Sequence, residues 1–145
     1  MSAGRICSRE VDLVAPEESA LAAARRMAEK RVGTLLVLNE DKKPVGLITD
    51  RDLVLRVLAA GRDPRATPVA EIMTPGPQVI REDDPIELAL GLMRAGGFRR
   101  VPVVDYQGQL VGILSLDDVL ALLAEEFAHI GGILDRQMPT QKPVL

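Results

Sequence analysis

Aromatic residues are nearly absent from this chain of 145 residues, which contains two phenylalanines, one tyrosine and no tryptophan. A platform that stacks nucleic-acid bases needs exposed aromatic rings, so this scarcity argues against one. The net charge of −3 also disfavours nucleic acids and anionic membranes as partners. A hydrophobic core has to be built from Leu, Val, Ile, Ala and Met instead.

Residues for crosslinks and metal centres are equally scarce. Cys7 is the one cysteine and His129 the one histidine, so the chain has no internal disulfide and no cysteine or histidine cluster for a metal. No apolar run of signal-peptide length opens the sequence, and no stretch approaches the ~20 apolar residues of a membrane span. We therefore expect a cytoplasmic protein with no metal site and no membrane contact.

The most informative feature that is present is an internal repeat. Identical residues meet when the sequence is displaced by 66 positions, among them Ile6 and Ile72, Met27 and Met93, Gly46 and Gly112, and Asp52 and Asp118. Gly61, Pro64 and Pro68 interrupt regular structure between the two copies. We expect a tandem duplication, with the first repeat over 1–62, a linker over 63–70, the second repeat over 71–127 and a tail over 128–145.

Each repeat predicts the same order of elements, β-α-β-β-α. A short extended segment precedes an amphipathic helix, then two β-rich runs form a hairpin, and a second helix follows. Gly33 and the pair Gly96 and Gly97 are suitable helix ends. Three strands and about 60 residues are marginal alone, so we expect an α/β (α+β) fold in which the two units pack sheet to sheet.

The tail leaves two alternatives open. Ile133, Leu134 and Met138 follow two glycines, so this segment either prolongs the last helix or docks on a partner. Its end carries Pro139 and Pro143 and is expected to fray.

A hydroxyl residue stands three positions before an aspartate at the same place in both repeats. Thr49 precedes Asp52, and Ser115 precedes Asp118. Where a strand turns into a helix, such a hydroxyl caps the helix, and the acid completes a capping box. This structural interpretation needs no ligand.

The same arrangement also suits a nucleotide. Free backbone N–H groups at the start of a helix attract phosphate, and an ionised aspartate one turn later accepts hydrogen bonds from both hydroxyls of a ribose. Gly46 and Gly112 precede the two motifs and allow another group to approach the strand closely. The two interpretations are compatible, because a capping residue can also contact a ligand.

The ordered motifs resemble a known family. The segment that contains "EIMTPGPQVI", "FRRVPVVD" and "LVGILSLDDVL" looks like a CBS domain, and "RICSREVDLV" through "PVGLITDRDLV" resembles a second one, so that together they cover about 6–127. The resemblance implies a tandem CBS module, also called a Bateman module, with pseudo-two-fold symmetry. It further implies an adenosine ligand such as AMP, ADP or ATP (with S-adenosylmethionine or NAD possible), no obligatory cofactor, a homodimer and an effector protein that the module regulates.

The resemblance also implies site residues. Thr49 and Asp52 would serve one cleft, while Ser115 and Asp118 would serve the other, with Arg99 and Arg100 or Arg51 on the phosphates. The apolar slot for adenine would be formed, largely by backbone, from Leu13, Val14, Val79, Ile80, Val101 and Pro102. Because Gly33 and Thr34 take the places of the two arginines in the first repeat, we expect the Ser115 cleft to bind more tightly.

These features favour a regulatory module that binds adenine nucleotides. The alternative is a structural dimerisation module with vacant clefts, in which the hydroxyl residues only cap helices. Catalysis is not expected, because the sequence has no Walker-type or GxGxxG loop and no histidine in a general-base motif.

Overall fold

The protein forms two small sheets with helices, described by a computed structural model over residues 1–137. The helices are α1 (Ala3–Ile6), α2 (Ala20–Lys30), α3 (Asp50–Leu53), α4 (Val69–Ile72), α5 (Ile86–Gly96) and α6 (Leu116–Gln137). The strands are β1 (Leu13–Val14), β2 (Thr34–Leu38), β3 (Pro44–Thr49), β4 (Thr74–Pro75), β5 (Ile80–Arg81), β6 (Arg100–Val104) and β7 (Leu110–Ser115). Helix α3 continues as a π-helical turn over Val54–Leu58.

The two sheets repeat one topology. In the first half β1 pairs in parallel with β2, and β2 pairs antiparallel with β3. In the second half β5, β6 and β7 pair in the same way. The predicted mixed fold of two repeated units, each with a central hairpin, is therefore confirmed.

The ends of the first helix of each half were predicted with partial success. Helix α5 ends at Gly97, whose φ of 69° is left-handed, as predicted. The prediction that Gly33 ends α2 is wrong, because Arg31 takes the left-handed conformation instead, with a φ of 56°. A left-handed non-glycine residue is uncommon, so the sequence carries no ordinary signal for it.

Alternation along the strands sorts their side chains into two sets. The paired residues Leu35 and Ile48 are fully buried against the helices. The next pair along the strands, Leu36 and Leu47, faces the opposite side of the sheet. We call this second surface the cleft face of the first sheet. The cleft face of the second sheet carries the equivalent residues of β6 and β7.

Each half has its own hydrophobic core. The core of the first half contains Val14, Ala20, Ala23, Met27, Leu35, Val37, Ile48, Val57, Val69 and Ile72. The core of the second half contains Ala3, Cys7, Ile80, Ile86, Ala89, Met93, Val101, Val103, Leu114 and Val119. Each core includes residues from the start of the opposite repeat.

The two halves exchange their leading segments. The N–H of Ser8 donates to the carbonyl of Ile113 over 2.8 Å, so α1 and the residues after it lie on the second half. In return, the N–H of Val69 donates to the carbonyl of Glu18 over 2.8 Å, and β4 pairs with β3. This exchange links the halves through main-chain hydrogen bonds that neither repeat could form alone.

The paired glycines lie where the exchanged segments cross the sheets. A Cβ atom on Gly112 would lie 2.3 Å from the carbonyl oxygen of Ser8, and one on Gly46 would lie 2.4 Å from the sulfur of Met73. The sequence predicted a close approach at both glycines. The approaching group is the crossing chain.

The tail prolongs the last helix over the described residues, and its docking on a partner stays a prediction. Helix α6 runs through Gly131 and Gly132 to Gln137. Met138 and the expected fraying around Pro139 and Pro143 lie outside the described residues. Over 1–137, no helix has the length and apolarity needed to cross a membrane.

Candidate functional site

A cleft of about 650 Å³ lies between the cleft faces of the two sheets. Five pairs of lining residues are related by the displacement of 66 positions: Val32 and Phe98, Thr34 and Arg100, Leu36 and Pro102, Leu47 and Ile113, and Thr49 and Ser115. Register places them together, since Thr34 pairs with Thr49 and Arg100 pairs with Ser115. The cleft therefore joins both copies of the repeated motif.

One end of the cleft is more elaborate than the other. The N-terminal exchanged segment contributes Ser8, Glu10, Val11 and Asp12, and the second half adds Arg99, Asp117 and Asp118. The counterparts of these residues at the first-half end do not line the cleft. Arg99, Asp117 and Asp118 lie at the end where α6 begins, whereas Asp12 lies beside β2, since its carbonyl accepts from the N–H of Leu36 over 3.0 Å.

At that end Ser115 and Asp118 form a capping box. The N–H of Asp118 donates to Oγ of Ser115 over 3.0 Å, and the N–H of Ser115 donates to Oδ2 of Asp118 over 2.9 Å. Only one carboxylate oxygen is used by the box, so Oδ1 is left for another donor. The structural and ligand-binding interpretations of the motif are thus compatible in the geometry.

Thr49 and Asp52 form the same box in the first half. The N–H of Thr49 donates to Oδ2 of Asp52 over 2.9 Å, and the N–H of Asp52 donates to Oγ1 of Thr49 over 3.1 Å. Here Oδ1 of Asp52 lies 3.8 Å from Nε of Arg56. Thr49 lines the cleft, whereas Asp52 does not.

The two arginines predicted to meet phosphate both line the cleft. Nη2 of Arg99 lies 3.3 Å from Oδ1 of Asp117, and both side chains are exposed. Exposed pairs of this kind contribute little to stability, so the guanidinium of Arg99 is able to turn toward an anion. Arg100 is also exposed and begins β6.

The remaining predicted residues lie elsewhere. Arg51 is exposed outside the cleft. Val14, Ile80 and Val101 belong to the two hydrophobic cores. Leu13 and Val79 do not line the cleft either, so Pro102 is the one predicted adenine-slot residue that does.

A comparison with protein families decides what the two halves are. The family model described as "CBS domain" matches residues 3–59 and again residues 69–125. The chain belongs to the CBS domain family. Its two halves are two CBS domains.

Several proteins and solved structures are similar to the chain along most of its length. A protein of Methanopyrus kandleri is 36% identical over 120 residues, which are 83% of this chain and 61% of that protein. The crystal structure of Hypoxic Response Protein I with two coordinated zinc ions has a TM-score of 0.74 at 32% identity, covering 83% of this chain and 98% of that one. The CBS domain protein PAE2072 from Pyrobaculum aerophilum, complexed with AMP, has a TM-score of 0.71 at 29% identity, covering 86% and 97%.

Sequence reasoning missed about two thirds of the lining residues of this CBS pair. Val32, Leu36, Leu47, Phe98 and Ile113 line the cleft, and a signal for them existed. They lie at even spacing from the motif residues along the strands, so alternation and the repeat together would have selected them. The segment 8–12 carried no such signal, because its position depends on the exchange of segments between the halves.

Other reactive groups of the CBS pair lie apart from the cleft lining. Cys7 is packed in the core of the second half, and burial raises the pKa of its thiol. Within residues 1–137, no group of three or more His, Cys, Asp or Glu side chains is placed to hold a metal ion.

Proposed function

We propose that the chain is a regulatory module that binds an adenine nucleotide in the cleft between its two CBS domains and performs no catalysis. The observation that carries this proposal is the joint lining of one cleft by Ser115, Asp118, Arg99 and Arg100. Support comes from the related Pyrobaculum aerophilum protein, whose structure was solved with AMP.

The residues at the α6 end match the parts of a nucleotide. Oδ1 of Asp118 accepts hydrogen bonds from the ribose hydroxyls, while its Oδ2 remains in the capping box. Arg99 and Arg100 offer planar, forked donors to phosphate oxygens. The apolar surface of Pro102 and Ile113 receives one face of the adenine ring.

Titration calorimetry with AMP, ADP, ATP, S-adenosylmethionine and NAD tests the proposal. We expect Asp118→Ala to weaken binding of the preferred nucleotide at least about tenfold, because a charge-assisted hydrogen bond contributes about 1.5–3 kcal/mol. The matched control is Asp52→Ala, which removes the equivalent carboxylate outside the cleft and should leave affinity nearly unchanged. Absence of binding by all five compounds would refute the proposal.

A second function has one observation in its favour. Both capping boxes are complete without any ligand, as a structural dimerisation module with vacant clefts requires. In that case Asp118→Ala lowers the melting temperature, and nucleotides raise neither the melting temperature of the variant nor that of the unaltered protein. Thermal unfolding with and without AMP distinguishes the two functions.

Regulation requires that nucleotide binding change the surface that a partner protein contacts. A nucleotide that contacts both domains stabilises only those arrangements that fit it. We therefore propose a homodimer whose geometry responds to the ligand and an effector protein that recognises the difference. A cytoplasmic location would suit such a sensor and is checked by cell fractionation.

A further inference from the structure

The two repeated aspartates differ in what lies one helical turn after them. Oδ1 of Asp52 lies 3.8 Å from Nε of Arg56, four residues later. The residue equivalent to Arg56 in the second half is Leu122, an apolar side chain packed against the core of that half. No ion pair to Asp118 is present among residues 1–137.

Arg56 is held in place from its other side. Its Nη1 donates to the carbonyl oxygen of Ile72 over 2.9 Å and to that of Met73 over 3.2 Å. These carbonyls belong to the exchanged segment that leads into β4. The guanidinium therefore connects the Asp52 carboxylate to the chain that crosses the first sheet.

We propose that Arg56 commits Asp52 to holding the exchanged 69–75 segment in place. Leu122, in contrast, leaves Asp118 available to a ligand. The module then binds one nucleotide per chain, at the α6 end of the cleft. This inference rests on the proposed function and names the residue that fits each aspartate to its role: Arg56 after Asp52 and Leu122 after Asp118.

A second observation at the first-half end agrees with this assignment. The position equivalent to Arg99 is Gly33, and a Cβ atom there would lie 3.0 Å from Oδ2 of Asp50. A carboxylate thus stands close to the place where the second half carries an arginine. At the α6 end the carboxylate of Asp117 has Arg99 beside it, whereas Gly33 takes that place beside Asp50, so a phosphate group is favoured at the α6 end.

Exchanging the residue type at position 122 tests the proposal. In Leu122→Arg, a guanidinium one turn after Asp118 is within reach of its free oxygen, and we expect AMP to bind at least about tenfold more weakly. Leu122→Gln removes the same apolar contacts without adding charge and should bind AMP within about twofold of the unaltered protein. Equal affinities in the arginine and glutamine variants would overturn the proposal.

Arg56→Gln provides the complementary measurement. We expect this variant to melt at a lower temperature, because the fastening of the 69–75 segment is lost, while its AMP affinity and a stoichiometry of one are kept. A tenfold loss of affinity in Arg56→Gln would contradict the structural role of Arg56. Two AMP molecules per unaltered chain would overturn this inference alone, whereas no binding by the unaltered chain would remove the proposed function itself.

Discussion

Glu18 and Arg26 form an ion pair that is joined by two hydrogen bonds. Nη2 of Arg26 lies 2.7 Å from Oε1 of Glu18, and Nη1 lies 2.8 Å from Oε2. Nη1 also donates to the carbonyl of Leu13, so the pair connects β1 to α2. Hydrogen bonding to Arg26 lowers the pKa of the Glu18 carboxyl.

This lowered pKa predicts how stability depends on pH. The ionised form of Glu18 is favoured by folding, so its contribution is complete above the pKa of an unfolded glutamate, about 4.3, and is lost as pH falls through the lower folded value. Arg26→Leu copies Leu92, the equivalent residue of the second half. We expect it to cost about 1 kcal/mol at pH 7, since the pair is only partly buried, and clearly less at pH 2.

Urea unfolding at the two pH values measures this difference. Arg25→Leu changes the neighbouring arginine, which lies outside the ion pair, and is the matched control. A cost for Arg26→Leu that is the same at pH 2 and pH 7 would show that the side chain acts by packing alone.

Local chemistry was predictable at the scale of single residues, and partners from distant sequence were not. Thr49 and Ser115 cap helices as the sequence predicts, because a cap and its acid are three residues apart. Arg56 contacts carbonyls 16 and 17 positions away. No local pattern indicates such a contact, so the different roles of the two aspartates emerged only from the fold.

The crossing of α1 and its following residues over β7 depends on Gly112. A Cβ atom there would meet backbone of Ser8 at 2.3 Å and the sulfur of Cys7 at 2.9 Å. The crossing backbone is held by two hydrogen bonds between Ser8 and Ile113, so it cannot move away without breaking them. We expect Gly112→Ala to destabilise the protein by about 3 kcal/mol, as overpacking does.

Gly91 offers the control for this substitution. It lies inside α5, and no atom lies within 4 Å of an added Cβ. Alanine is the better helix former by about 1 kcal/mol, so Gly91→Ala should raise the melting temperature by about 2–4 °C. The free energy of unfolding and the melting temperature should fall in Gly112→Ala and rise in Gly91→Ala. A stable Gly112→Ala variant would show that the crossing is looser than the structure has it.

Long, periodic elements were predictable, and the exchange of segments was not. The hairpins of both halves follow from β-rich runs around turns, and α2 and α5 follow from apolar spacing. Helices α1 and α4 have four residues each, too few to show a period of 3.6. The repeated glycines pointed to a close approach, but not to the chain that makes it.

At the scale of the whole molecule, an apolar stripe remains uncovered on α6. Exposed hydrophobic side chains recur at alternating spacings of three and four: Leu120, Leu123, Phe127, Ile130 and Leu134. This is the spacing of a helix that packs against another helix. The equivalent helical segment of the first half also exposes apolar side chains, Val54, Leu55 and Leu58. Such a surface favours the homodimer that we propose.

Helix α6 connects this stripe to the cleft. Its first turn contains Asp118, the proposed ribose ligand, and its last turns carry Ile130 and Leu134. A ligand that fixes the first turn therefore biases the angle at which the far end meets a partner. This connection gives the proposed sensor a direct mechanical route from nucleotide to dimer.

Phe127→Glu tests the stripe and the homodimer together. The Phe127 side chain is 69% exposed in the chain by itself, so a glutamate there costs the monomer little but places two buried charges in a dimer interface. We expect light scattering to find a dimer for the unaltered protein and a monomer for the variant, with similar melting temperatures at low concentration.

Tyr106→Glu is the matched control, because Tyr106 is 77% exposed in the turn between β6 and β7, away from the stripe, and should leave the dimer intact. A dimer that survives Phe127→Glu would assign the interface to another surface, and an unaltered protein that is monomeric would refute the proposed assembly.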